Sequence, residues 1–160
     1  MQTTPEERLR AQGLRVTRPR LTVLAVLDEA VAARDHLAVA EVEQRARAAL
    51  GNLSRQAVYD CLEALTGAGL ARRIEPAGHP ARYEARTRED HHHMVCRVCG
   101  RTSDVDCTTD PSSCLSSPPT DDFVVDEAEV IFWGRCAACA AEANDTQPTA
   151  VRPNHREEPR

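Results

Sequence analysis

Two Cys-x-x-Cys pairs constrain this chain more than any other feature. Cys96 and Cys99, followed by Gly100, form the first; Cys136 and Cys139 form the second, with 36 residues between the pairs. Four thiolates in two close-spaced pairs are the ligand set of a closed tetrahedral zinc site. A redox dithiol, or small buried side chains, are the competing readings. Two matched pairs in one short, β-rich segment favour structural zinc. A closed four-sulfur site has no open coordination position, so it holds strands together rather than doing hydrolytic or acid–base chemistry. Cys61, Cys107 and Cys114 fall outside the pairs. Cys61 reads as a small packed helix residue, and Cys107 and Cys114 flank a loop where redox chemistry stays open.

The 160 residues suffice for one ordinary domain or two small ones. A small half has a thin core, which a metal helps to hold. No apolar run approaches the ~20 residues of a membrane span, and "MQTTPEERLRAQ" is too polar for a secretory signal. These features predict a soluble, cytoplasmic protein with no membrane partner. Seven cysteines there point to metal or redox roles rather than disulfides. The formal net charge is −5, but it is unevenly spread. Residues 1–86 hold 13 Arg against 11 acidic residues, a balance of +2; residues 87–143 hold 4 against 11, a balance of −7. That asymmetry suggests two modules with different partners. All 20 basic residues are Arg, which fits phosphate and base recognition but also follows from GC-rich codon usage.

The first half reads as short helices and a hairpin. "PEERLRAQG" (5–13) has an N-terminal Pro, an acidic first turn and a closing Gly. "RPRLTVLAVLDEAV" (18–31) places Leu21, Leu24, Ala25, Asp28 and Val31 on one stripe, with Leu27 beside it. "AVAEVEQRARAAL" (38–50) repeats the pattern through Val39, Val42, Ala46 and Ala49. Ser54 then caps a fourth helix in which Val58, Leu62 and Leu65 point inward. Arg55, Gln56, Tyr59 and Asp60 fall on its opposite face. "LARRIEPAGHPARYEA" (70–85) is strand, Pro/Gly turn, strand. Helices followed by a β-hairpin describe a winged helix-turn-helix, whose last helix enters the major groove.

The second half is different. "HHHMVC", "TSDVDC", "DFVVDE" and "EVIFWG" read as short strands, residues 108–122 as a Ser/Pro/Asp-rich loop, and "CAACAAEA" as a short helix. The fold class is α+β: an N-terminal winged helix-turn-helix (1–86), a small zinc-stapled α/β dimerisation domain (87–143) and a disordered tail (144–160).

His91, His92 and His93 stand just upstream of the first cysteine pair. On a strand, His91 and His93 share one face and His92 takes the other. A His91/His93 site then needs partners from elsewhere, and Glu84, His36 and Asp104 are candidates. Mixed nitrogen and oxygen ligands favour Fe(II), Mn(II) or Zn(II). His36 alone, between two helices, would read as an exposed loop histidine. A hydrolase lacks its usual signs, a His-Glu-x-x-His pair or an open three-ligand site with a general base. A zinc-stapled interaction module without DNA binding is a further alternative.

The winged helix, "HHHMVCRVCG" and "WGRCAAC" together resemble the ferric uptake regulator (Fur) family of metal-dependent bacterial repressors. "GLRVTRPRLTVLAVL" (13–27) and "SRQAVYDCLEALTGAGL" (54–70) extend the resemblance to about residues 5–142. It implies a homodimer, not an enzyme, that binds a palindromic A/T-rich operator in double-stranded DNA. It implies structural Zn2+ on the cysteines and a hinge metal, Fe2+ or Mn2+ with Zn2+ possible, on His36, Glu84, His91 and His93. Asp104 matches a carboxylate position of peroxide-sensing members. Asp90 and His92 match part of a second, interfacial site, whose other positions here hold Pro111 and Ala128. Candidate DNA contacts are Arg15 and Arg20 near the second helix, the former at a minor-groove position, and Arg55, Gln56 and Tyr59 in the recognition helix. Asp60 beside phosphate would be unfavourable, so its face should point away or the contact differ. "SDVDC…SSCL…FVVDEAEVIFWG" resembles the FurA/CatR branch, whose members typically repress catalase genes in response to peroxide. In peroxide-sensing relatives a histidine ligand is oxidised, which here implies His36 or His91.

Overall fold

Thr4 caps the first helix, α1 (Pro5–Ala11), in a reciprocal pair with Glu7. This computed structural model describes residues 3–86, 91–106 and 130–145. Three more helices follow: α2 (Arg18–Ala32), α3 (Val39–Leu50) and α4 (Arg55–Gly67). The Ser54 hydroxyl accepts the Ala57 N–H at 3.1 Å and starts α4. Val58, Cys61, Leu62 and Leu65 then face the core.

The stripe expected on α2 is displaced. Val23, Leu24, Val26, Leu27 and Ala30 are its buried residues. This helix packs against α1, α3, α4 and the sheet, so its buried surface is wider than one stripe. The Asp28 side carries α1, and Asp28 accepts two bonds from Arg8 at 2.8 and 2.9 Å. On α3, Ala49 is exposed and Glu43 is buried.

Strands β2 (Ala71–Ile74) and β3 (Arg82–Ala85) form the antiparallel hairpin. A strand the sequence did not reveal, β1 (Leu37–Ala38), pairs with the other edge of β3, giving the order β1-β3-β2. Leu37 lies opposite Tyr83. That register brings His36 to the neighbourhood of Glu84.

The second sheet has β4 (His91–Cys96) at its centre. It pairs antiparallel with β5 (Thr102–Asp106) and parallel with β6 (Ile131–Gly134). Helix α5 (Ala137–Asp145) starts within the second cysteine pair, directly after Cys136 and including Cys139. It takes in Asn144 and Asp145, which the sequence reading gave to the tail. The architecture is α+β. The main core lies among α1–α4 and the first sheet. From residue 91 onward, the buried apolar side chains among the described residues are Val95 and Cys96. Asp90, Cys107, Cys114, the loop 108–122, the strand expected at "DFVVDE" and the tail from 146 lie outside the described residues. Among those residues no helix is long and apolar enough to cross a membrane.

Candidate metal centres

Five side chains from four places in the chain converge between the two sheets. His36 comes from the residue before β1, Glu84 from β3, His91 and His93 from one face of β4, and Asp104 from β5. One ligand atom from each lies within 4.8 Å of all the others. His36 Nε2 lies 2.9 Å from Glu84 Oε2 and 3.1 Å from Asp104 Oδ1. His91 Nε2 lies 3.2 Å from Glu84 Oε2 and 3.5 Å from Asp104 Oδ1, and His93 Nε2 lies 3.5 Å from Glu84 Oε1. The rings of His36 and His91 each stand edge-on to His93. Period-two alternation delivers the pair from β4, and the register His93–Asp104 delivers the carboxylate.

His36, Glu84 and His93 are 1%, 2% and 0% exposed. Both ring nitrogens of His36 and Oδ1 of Asp104 are buried without a hydrogen bond. His91 is within hydrogen-bond reach of Glu84, but the close approaches of His36 to the two carboxylates are not hydrogen bonds, so the His36 and Asp104 atoms aim at a common centre rather than at each other. Buried polar atoms are rarely left so, and a divalent cation at that centre would satisfy His36 Nε2 and Asp104 Oδ1 together. Burial alone raises the Glu84 carboxyl, but the imidazoles of His36 and His93 outweigh this and hold it well below the usual carboxylate range. The donor set therefore fits a cation of the Fe(II), Mn(II) or Zn(II) kind.

The four paired cysteines converge separately. Their sulfurs lie within 4.8 Å of one another, with Cys99 Sγ 3.8 Å from Cys136 Sγ. Backbone N–H groups of Cys136 and Cys99 pull the Cys96 thiol down to about 6. Hydrogen bonding to the sulfurs of Cys136 and Cys99 pushes Cys139 up to about 12. Four adjacent thiols cannot all ionise unless a cation compensates, and four thiolates are the complement of a closed zinc site.

His92 points away from both clusters, with its ring 5.9 Å from that of Phe132. The recognition-helix candidates lie together on the solvent face of α4. Tyr59 is 46% exposed. Arg55 Nε donates to buried Glu43 at 2.7 Å, and Arg47 Nη2 lies 3.1 Å from the same carboxylate. Gln56 donates to Asp60 at 2.8 Å. Asp60 thus shares the exposed face instead of pointing away. Arg20 Nη1 donates to the Arg15 carbonyl at 3.0 Å, which ties the first turn of α2 to the segment before it. Sequence reasoning missed Glu43, because a charged residue breaks an apolar stripe. The arginines four residues beyond it and at the start of α4 were the available signal.

Residues 11–110 match the model of the ferric uptake regulator family. The transcriptional regulator FurA of Mycobacterium tuberculosis is 51% identical over 134 residues, covering 84% of this chain and 88% of that protein. The chain belongs to the ferric uptake regulator family. It is a metal-responsive, DNA-binding transcriptional regulator rather than an enzyme. Ferric uptake regulation protein 1 of Mycolicibacterium fortuitum is also 51% identical, over 126 residues, covering 78% of this Fur-family chain and 75% of that protein. The manganese-containing ferric uptake regulator structure from Pseudomonas aeruginosa superimposes with a TM-score of 0.65 at 26% identity, covering 83% of this chain and 98% of that one.

Proposed function

We propose that this Fur-family regulator is a peroxide-sensing repressor that controls catalase or other oxidative-stress genes from the cytoplasm. The observation that carries the reading is the buried cluster of three imidazoles and two carboxylates. His36, Glu84, His91, His93 and Asp104 would hold Fe(II) or Mn(II), and Cys96, Cys99, Cys136 and Cys139 would hold zinc. Fe(II), when bound there, would supply the one-electron chemistry by which peroxide adds oxygen to a nearby histidine. Of the two candidate targets, the His91 side chain is 13% exposed and that of His36 1%, which favours peroxide reaching His91. Loss of a ligand then frees the winged helix from β4 and β5.

Metal-dependent DNA binding follows from the origin of the ligands. His36 and Glu84 belong to the winged-helix half; His91, His93 and Asp104 belong to the other. A metal shared by both favours one relative arrangement. Exposed Met94 and Phe132, opposite one another across β4 and β6, support pairing with a second copy through that sheet face. Two recognition helices would then meet two half-sites of a palindromic A/T-rich operator. Arg15, Arg20, Arg55, Gln56 and Tyr59 are the proposed contacts, with Arg55 held by Glu43. Asp90 and His92 are left as an interfacial pair with no further ligand assigned.

The test loads zinc-replete protein with Fe(II), adds hydrogen peroxide, and follows operator release beside mass spectrometry of the His36 and His91 peptides. Release with one added oxygen on either peptide is expected. Retained DNA binding and unmodified histidines would assign the protein to metal-level sensing instead, as an iron- or zinc-uptake repressor built on the same cluster.

A further inference from the structure

Arg82 and His79 belong to neither metal cluster, yet they tie the wing to both. Arg82 opens β3. Its Nε donates to the Gly100 carbonyl at 2.8 Å, and its Nη1 donates to the His36 carbonyl at 2.9 Å. The same Nη1 lies 3.5 Å from Glu41 Oε2, the oxygen that accepts the Ala38 N–H at the start of α3. His79, in the turn between β2 and β3, holds the other side of the cysteine loop. Its Nε2 lies 3.2 Å from the Arg97 carbonyl oxygen. Gly100 has φ +70° and approaches so closely that a Cβ there would stand 2.7 Å from His79 Cγ. Only glycine fits that conformation and that contact. Arg97 and Gly100 flank Cys99, so the wing grips the first cysteine turn directly.

We propose that Arg82 is a positioning residue that couples the four-cysteine centre to the sensing centre. A metal-loaded cysteine turn presents the Gly100 carbonyl, that carbonyl orients the guanidinium, and the guanidinium fixes the backbone of His36. The planar arginine fork can hold two carbonyls at once, which a lysine ammonium does less well. Fixing a ligand's backbone in advance removes part of the ordering cost of binding. The zinc centre therefore sets how tightly the hinge binds its metal, without sharing a ligand with it. This inference rests on the proposed ligation by His36.

The experiment measures Mn(II) affinity, zinc content and thermal melting on zinc-loaded, full-length protein. In Arg82→Ala, zinc content and cooperative melting should stay as in the wild type. Mn(II) affinity should weaken about 10–100-fold, the range seen when an outer-shell partner of a metal ligand is removed. Arg82→Lys should recover part of the loss, and Arg73→Ala, an exposed wing arginine, should change nothing. His79→Ala loosens the same loop, so it should weaken Mn(II) binding in the wild type and add little to Arg82→Ala. Unchanged Mn(II) affinity in Arg82→Ala, a matching loss of zinc, or full additivity with His79→Ala would overturn the coupling. Wild-type protein that binds no Mn(II) at the histidine cluster would overturn the ligand assignment itself.

Discussion

Strand β4 carries His91 and His93 toward one end and Cys96 at the other, and the two donor clusters it feeds are assembled in opposite ways. The sulfur cluster draws every ligand from residues 96–139, and Cys99 is exposed. The nitrogen–oxygen cluster draws on the loop before β1, on β3, on β4 and on β5, and it is largely buried. A metal in the first restrains one half of the molecule internally. A metal in the second restrains one half against the other. With the proposed ligation, only the second metal would bridge the two halves through its own ligands. Position in the fold, more than ligand chemistry, separates a staple from a sensor.

Cys96→Ser should break the comparison most severely. Structural zinc contributes ~10–16 kcal/mol to folding in zinc-finger peptides, and among the described residues of the second half only Val95 and Cys96 are buried apolar side chains. Metal analysis should find no zinc, and the melt should lose its contribution from that half. A variant that keeps zinc and melts normally would remove the staple.

His93→Ala should act on the other side alone. Zinc content should stay intact, while the metal-induced gain in operator affinity, ~5–150-fold for typical coupling energies, disappears in a gel shift. Equal loss of both metals would mean that the clusters are one unit.

Glu43→Ala tests a region belonging to neither cluster. It releases Arg55 and Arg47, whose side chains are 67% and 51% exposed. The stability cost should be about 1 kcal/mol, because solvent screens both cations. Operator affinity should fall while Mn(II) and zinc affinities hold. His92→Ala should have the smallest effect, within about 0.5 kcal/mol in melting and none on Mn(II) or zinc affinity. A metal defect there would blur the division of β4 into two faces.

Much of this organisation was legible in the chain itself. Caps and breakers such as Pro5, Gly13 and Ser54 mark helix ends locally, and the His–Cys run of β4 marks its own alternation. Features that depend on distant pairing were not legible. Strand β1 has two residues and no periodicity to read, and it exists because β3 offers an edge. His36 reads as a loop histidine until that pairing places it beside Glu84. The α2 stripe failed because a helix packed on several sides has no single apolar face. Glu43 and Arg82 were missed for a related reason: each is a charged residue whose partners are set by tertiary contacts, not by spacing. The resemblance to known regulators supplied His36, and the geometry supplies the physical reason it can serve.

The central claim is that a metal bridging the two halves sets affinity for DNA. The most direct measurement is operator binding by one preparation of zinc-loaded protein, with and without Mn(II), beside the His93→Ala variant. The account predicts tighter binding with Mn(II) in the wild type and no response in the variant. Equal affinity with and without Mn(II) in the wild type would contradict it.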